Sequence, residues 1–152
     1  MTRSCRGAAK AAADMAFVLD ASMAAAWLLP EEYSDAAETV IATIEAPSPV
    51  PSRFFFEIRN ILAMSERRGR IVVGGALVNM ERVRRLPLDD AGIGGDGYVL
   101  LLAANHSLSA YDAAYLALAL NRSIALATLD RKLAAAARKE GVTVLGPFAH
   151  GD

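Results

Sequence analysis

Residues 123–145, SIALATLDRKLAAAARKEGVTVL, read as strand, helix and strand in turn. Residues 123–128 form a short apolar run, and Asp130 stands between it and a helical stretch at 131–140 that Gly141 stops before a last apolar run at 142–145. The same alternation extends upstream. Residues 16–20 (AFVLD) read as a short buried strand closed by a carboxylate, residues 21–29 as a helix halted at Pro30, and Ser34 caps a helix to about residue 45. Pro47-Ser-Pro-Val-Pro51 is extended and proline-restricted, at most an edge strand. Ser52 starts a helix to about residue 68, with Phe54, Ile58, Ile61, Leu62 and Ser65 at helical spacing. Gly74-Gly75 precedes a helix at 76–85, then come a short extended piece at 86–88, a loop at 92–97, an apolar helix at 98–106 and a helix opened by Ser109 and running to about 121. Short apolar strands alternating with helices predict an α/β fold with a doubly wound, mainly parallel sheet.

Composition bounds the rest. At 152 residues and 54% hydrophobic, the chain suits one domain with a single substantial core, assigned to 15–150, behind a disordered extension at 1–14. The single cysteine, Cys5, excludes an internal disulfide framework and a four-thiolate zinc site. No apolar run reaches the ~18–20 residues that span a bilayer, and the alanine stretch behind Arg3, Arg6 and Lys10 is broken by Asp14. A cytoplasmic protein is the expectation. Net charge is −1, yet residues 53–85 carry eight Arg against three Glu, leaving 8 basic and 14 acidic residues elsewhere. A basic segment within acidic surroundings suits a polyanionic partner; its plain alternative is a solvated helix face.

Gly92-Ile-Gly94-Gly95-Asp-Gly97 matches G-x-G-x-x-G, with Asp112 twenty residues beyond Gly92. A dinucleotide site needs those glycines between a buried strand and a helix, so that pyrophosphate meets the helix N-terminus. Here they follow Asp89-Asp90, which repel phosphate, and Asp112 falls within a helical pattern rather than at a strand end. The expectation is a plain loop.

Four carboxylates stand where a charge is costly. Asp20 and Asp130 end strands, and either is explained structurally as an N-cap. Ser109-Ala-Tyr-Asp112 fits a capping box, and Glu57 lies at the edge of an apolar helix stripe. Jointly they say more. Parallel strands present their carboxyl ends on one edge, where open sheets bind ligands. Each carboxylate pair brought to ~4 Å there costs ~4 kcal/mol at an effective dielectric of ~20. A cation offsets that repulsion, and oxygen donors without a histidine or thiolate set point to Mg²⁺ or Mn²⁺. Such ions activate water and neutralise charge in phosphodiester hydrolysis, with residues 53–85 holding the phosphate backbone.

Phe17-Val-Leu-Asp20-Ala-Ser22, Phe56-Glu57-Ile-Arg-Asn60, Leu108-Ser-Ala-Tyr-Asp112-Ala-Ala-Tyr-Leu-Ala-Leu-Ala119 and Ala127-Thr128-Leu-Asp130-Arg-Lys-Leu133 together resemble the ordered motifs of PIN-domain ribonucleases. Within these the chain looks most like the VapC-type toxins of bacterial toxin–antitoxin modules, over about residues 16–148. The resemblance implies an α/β/α sandwich, endoribonuclease activity on RNA with Mg²⁺ or Mn²⁺, a homodimer and inhibition by a cognate antitoxin. It assigns Asp20, Glu57, Asp112 and Asp130 to the acidic metal site and Ser22, Thr128 and Asn60 to accessory polar positions. The 92–97 loop and the 1–14 extension lie outside the pattern.

Other polar candidates point elsewhere. His106 and His150 have no partner at useful spacing, and His106 is expected to face a helix C-terminus or solvent. Tyr111, Tyr115 and Trp27 are expected to pack in the core. Two rival readings are kept: a PIN-fold module that binds RNA or protein without cutting, and a dinucleotide-binding domain. Four intact carboxylates oppose the first, and the second requires a strand before Gly92.

Overall fold

Three short strands supply the backbone of the core: β1 (Phe17–Leu19), β4 (Ala125–Ala127) and β5 (Val144–Leu145). In the computed structural model, which describes residues 16–29 and 34–151, they form one sheet in the order β1-β4-β5. Both ladders are parallel, with Phe17 opposite Ala125 and Leu126 opposite Val144. A second parallel ladder pairs β2 (Ser48–Val50) with β3 (Leu88–Asp90). The helices between them are α1 (Ala21–Leu28), α2 (Asp35–Ala42), α3 (Arg53–Arg67), α4 (Gly75–Arg85), α5 (Asp96–His106), α6 (Ala110–Arg122) and α7 (Arg131–Lys139). Parallel strands joined by helices, with α6 packed over β1, β2 and β4, make the expected α/β/α sandwich. Phe17, Val18, Leu19, Phe54, Ile58, Tyr115, Leu116, Leu126 and Leu133 fill its core.

The proline run is an edge strand, as expected, and a buried one. Ser48 N–H donates to Pro87 O, so alternate residues of β2 serve β3. Pro47, Pro49 and Pro51 occupy the intervening positions and have no N–H to offer toward β1, which lies alongside. The prolines therefore make β2 a one-sided strand.

Two expected strands are shorter than their apolar runs, for one reason. Ser123, at φ 54°, closes α6, and Ile124 N–H returns to Ala119 O. Gly141, at φ 77°, closes α7, and Val142 N–H returns to Ala137 O. The leading residues of each run cap the preceding helix before the ladder begins. Helix α2 likewise stops at Ala42, short of residue 45, although Ser34 caps it as expected by accepting from Ala37 N–H.

A strand does precede the glycine motif: β3 covers Leu88–Asp90, two residues beyond the piece expected at 86–88, and α5 starts at Asp96. The objection to a dinucleotide site survives in another form. Asp89 and Asp90 are exposed, and Asp90 Oδ1 already accepts from Ser52 Oγ and Gly92 N–H. The 1–14 extension lies outside the described residues. Among the described residues no helix is long and apolar enough to cross a membrane.

Candidate active site

Asp20 follows β1 and precedes α1, and its backbone is fixed on both sides. Its N–H extends the ladder to Ala127 O, and its carbonyl accepts from Met23 and Ala24 N–H. The carboxylate does not cap α1, so the N-cap explanation fails for this residue. Its Oδ2 accepts hydrogen bonds from Ser22 Oγ and Thr128 Oγ1, each 2.7 Å long. The side chain is buried, 4% exposed, and both hydroxyl bonds fall on one oxygen.

Those hydroxyls tie the strand ends together. Ser22 Oγ accepts from Leu129 N–H at 3.0 Å, and Thr128 Oγ1 accepts from Asp130 N–H at 2.9 Å. The chain after β4 is thereby clamped to the start of α1. Gly146 makes the clamp possible from behind. At φ 119° it follows β5, and a Cβ there would stand 2.9 Å from Met23 Cε and 3.0 Å from Thr128 O. Only glycine fits that approach.

Asp130 is an N-cap, accepting from Leu133 N–H at 2.9 Å through Oδ1. Asp112 sits in the first turn of α6, where its N–H donates to Ser109 Oγ at 3.1 Å, as the capping pattern predicts. Glu57 sits on α3, half-buried, and its Oε1 accepts from Tyr115 Oη at 3.3 Å. Asn60 is exposed on α3, and no hydrogen bond of the cluster involves it.

The four acids are close enough to act on one another's charge, every pair among them except Glu57 and Asp130. Burial pushes the Asp20 carboxyl up to about 6, its two hydroxyl bonds oppose that rise, and the charges of Asp112 and Asp130 add to it. Glu57 is raised by burial and by Asp20, against the pull of Arg53 and the Tyr115 hydroxyl. Asp112 is raised by burial and then by Asp130, against Ser109, Arg53 and Lys132. Three carboxyl groups that hold protons too tightly are what like charges in a partly desolvated site produce. Among the described residues no three acidic, histidine or cysteine side chains converge tightly enough to wrap one ion.

Several participants are absent from the sequence expectations. Arg53 Nε lies 3.2 Å from Glu57 Oε1, one helical turn back, which the i,i+4 spacing could have disclosed. Tyr115 is fully buried as expected of a core residue, yet its hydroxyl serves Glu57. Tyr111, expected in the core, is instead 55% exposed, with the Arg53 guanidinium carbon 3.2 Å from its ring centroid. Trp27 is partly buried beneath Arg82, and His106 bonds Glu140 at 2.6 Å rather than facing solvent alone.

Comparison with known proteins agrees with this geometry. The family model described as PIN domain matches residues 17–139. The chain is 34% identical over 125 residues to Ribonuclease VapC3 of Pyrobaculum aerophilum, spanning 79% of this chain and 93% of the relative. Among solved structures, the crystal structure of PAE2754 from Pyrobaculum aerophilum superposes with a TM-score of 0.64 at 25% identity, covering 80% of this chain and 78% of the other.

Proposed function

The chain belongs to the PIN-domain family, among the VapC-type ribonucleases, and on that premise we propose that it is a Mg²⁺- or Mn²⁺-dependent endoribonuclease acting as the toxin of a toxin–antitoxin pair. The observation that carries the proposal is the buried carboxylate of Asp20, raised to about 6 among three further acids. A fold gains nothing from such repulsion, whereas a cation relieves it.

The donor set fits a hard divalent ion. It consists of carboxylate oxygens, with no histidine or thiolate among the four assigned residues. Mg²⁺ keeps several waters and takes one or two carboxylates directly, so a looser set than a complete cage is enough. We assign direct ligation to Asp20 and Asp112 and a supporting role to Glu57 and Asp130. When bound, such an ion supplies charge neutralisation at the phosphate and a more acidic water.

The chain's own residues do the rest. Ser22 and Thr128 hold Asp20 Oδ2, which leaves Oδ1 for ligation. Glu57 is assigned the acceptance of a proton from the attacking water, because its raised pKa makes it a stronger base than an ordinary glutamate and Tyr115 holds its Oε1. Water attacks phosphorus as its proton passes to Glu57, the phosphorus–oxygen bond to the leaving ribose oxygen breaks, that oxygen takes a proton from solvent, and no side chain forms a covalent intermediate.

The proposal includes a homodimer and a cognate antitoxin. An antitoxin segment offering Arg or Lys would meet the acids near Asp20 and Asp112, with α3 and α4 supplying much of its groove. The exposed apolar residues where these helices join support that surface: Val73 is 96% exposed, Val72 79% and Leu77 67%. An antitoxin mapped to the opposite, amino edge of the sheet would contradict it.

The test of the activity is direct. Purified protein should cleave single-stranded RNA with Mg²⁺ or Mn²⁺ and stop in EDTA. Cleavage that continues unchanged in excess EDTA would sink the metal assignment.

A further inference from the structure

Beside the acidic cluster, an apolar recess of about 400 Å³ opens between α3, α5 and α6. Phe56, Ile93, Leu100 and Ala114 line it, together with Arg53 and Tyr111. Four of these six residues are more than half exposed: Ile93 79%, Phe56 65%, Leu100 60% and Tyr111 55%. Apolar surface concentrated in a concavity marks a binding site.

Arg53 joins this recess to the acids. Its guanidinium lies over the Tyr111 ring, its Nε is 3.2 Å from Glu57 Oε1, and its charge acts on Asp112. Tyr111 immediately precedes Asp112, so ring and carboxylate leave the same turn of α6. Asp96 also lines the recess. Its carboxylate repels a phosphate and accepts from the N–H donors of a base. Phosphate is therefore assigned to Arg53 and the base to the apolar lining.

We propose that this recess is a nucleotide subsite, in which an unpaired base of single-stranded RNA stacks against Tyr111 while Arg53 holds the adjoining phosphate. The inference rests on the ribonuclease reading above and adds to it a strand-recognition element outside the four acids. Single strands fit because only an unstacked base can enter a cavity, and any base offers a π face. Arg suits the phosphate end because its planar fork pairs phosphate oxygens while its face rests on the ring. Bound this way, Arg53 exchanges Glu57 for the phosphate, leaving Glu57 free for proton transfer.

The experiment is equilibrium binding of a fluorescent single-stranded RNA to the full chain in EDTA, where cleavage does not intervene. Tyr111→Ala should weaken binding about tenfold, the scale of losing one base stack. An oligonucleotide scan with single abasic positions should reveal one position that weakens the wild type by a similar factor and leaves Tyr111→Ala unaffected. Arg53→Gln should lower the slope of log affinity against log salt by about 0.7, one phosphate contact on a single strand, whereas Arg122→Gln at the far end of α6 should leave affinity within twofold. Tyr111 is exposed, so its variant should melt with the wild type and remain interpretable.

Wild-type binding that Tyr111→Ala and Arg53→Gln leave unaltered overturns the subsite and spares the ribonuclease reading. A wild type that binds no RNA in EDTA overturns the subsite, while the ribonuclease reading is decided separately by cleavage in Mg²⁺ or Mn²⁺. Sedimentation provides the remaining discriminator: if Tyr111→Ala halves the mass of the particle and leaves RNA affinity intact, the recess is a contact between copies of this chain and the subsite is refuted.

Discussion

Replacing Asp20 with Asn removes one charge from the most buried acid and leaves its shape, so its effect on stability can be worked out in advance. In the metal-free protein the Asp20 carboxyl rises from 3.8 to about 6, a difference worth about 3 kcal/mol. Between those two pH values the folded protein holds a proton that the unfolded chain has released. Stability contributed by Asp20 is therefore greatest near pH 4, falls as pH rises through the window, and is lowest above pH 6. Asn and protonated Asp are near-isosteric, and both accept a hydroxyl bond of the kind Ser22 and Thr128 donate. At pH 4 the variant should match the wild type or trail it by about 1 kcal/mol, the cost of an amide hydrogen left without a partner. At pH 7.5, where wild-type Asp20 is ionised, the variant should be the more stable by about 2 kcal/mol.

Urea unfolding of both proteins in EDTA, at steps from pH 4 to 7.5, measures that swing, and the difference between the two cancels the acid titration of all other groups. At pH 7.5, adding Mn²⁺ should then raise the wild-type midpoint and leave Asp20→Asn unmoved, since binding to the folded state alone stabilises it. A stability difference that stays flat across the range would refute the reasoning, for it would mean that Asp20 carries no buried charge.

Three further outcomes separate catalysis from structure. Asp112→Asn should lose at least ~100-fold in cleavage while melting in EDTA no lower than the wild type, because Asn keeps the first-turn position and removes a charge that burial and Asp130 disfavour; near-normal cleavage with a lower melting temperature would return Asp112 to a purely structural role. Tyr115→Phe deletes a hydroxyl that holds the Glu57 carboxyl down, so the acid limb of the pH–rate profile should move to higher pH, and an unmoved limb would detach Tyr115 from Glu57. Gly146→Ala forces a Cβ within 2.9 Å of Met23 and 3.0 Å of the Thr128 carbonyl at φ 119°, which should cost roughly 1–3 kcal/mol in a thermal or urea melt. A variant as stable as the wild type would show that the loop behind the clamp gives way.

The fold was legible wherever a local rule agreed with the packing. Ser34, Ser109 and Asp130 each start a helix with the side chain that the sequence nominates, and each accepts from the N–H three residues on. Strand lengths were not legible, because hydropathy cannot separate residues that pair in a ladder from those that close the preceding helix. Ile124 is as apolar as Leu126, yet its backbone N–H, like that of Ser123, belongs to the end of α6. The acidic β3 was hidden for the opposite reason: Leu88-Asp-Asp has no apolar alternation, and its pairing follows from the one-sided β2 that needs a partner. At the site, Arg53 and Tyr111 were invisible as a pair because nothing in one sequence brings a residue of α3 onto a ring of α6.

The same comparison clarifies why a structural explanation of a residue does not displace a functional one. Asp20 and Asp130 look alike in sequence, each a carboxylate between a strand and a helix. The structure gives Asp130 the capping role and denies it to Asp20. Yet Asp130 uses Oδ1 for Leu133 N–H, and its charge still raises both Asp20 and Asp112. A cap engages one lone pair of one oxygen; it orients the carboxylate without neutralising it. Asp20 is held by hydroxyl groups instead, which are neutral donors and leave its charge equally unspent. Both arrangements fix an anion at the carboxyl edge of a parallel sheet and supply no cation to balance it. In a molecule whose stability is a small difference between large terms, that imbalance is the feature the proposed cation would relieve, since only a positive charge can balance the acids.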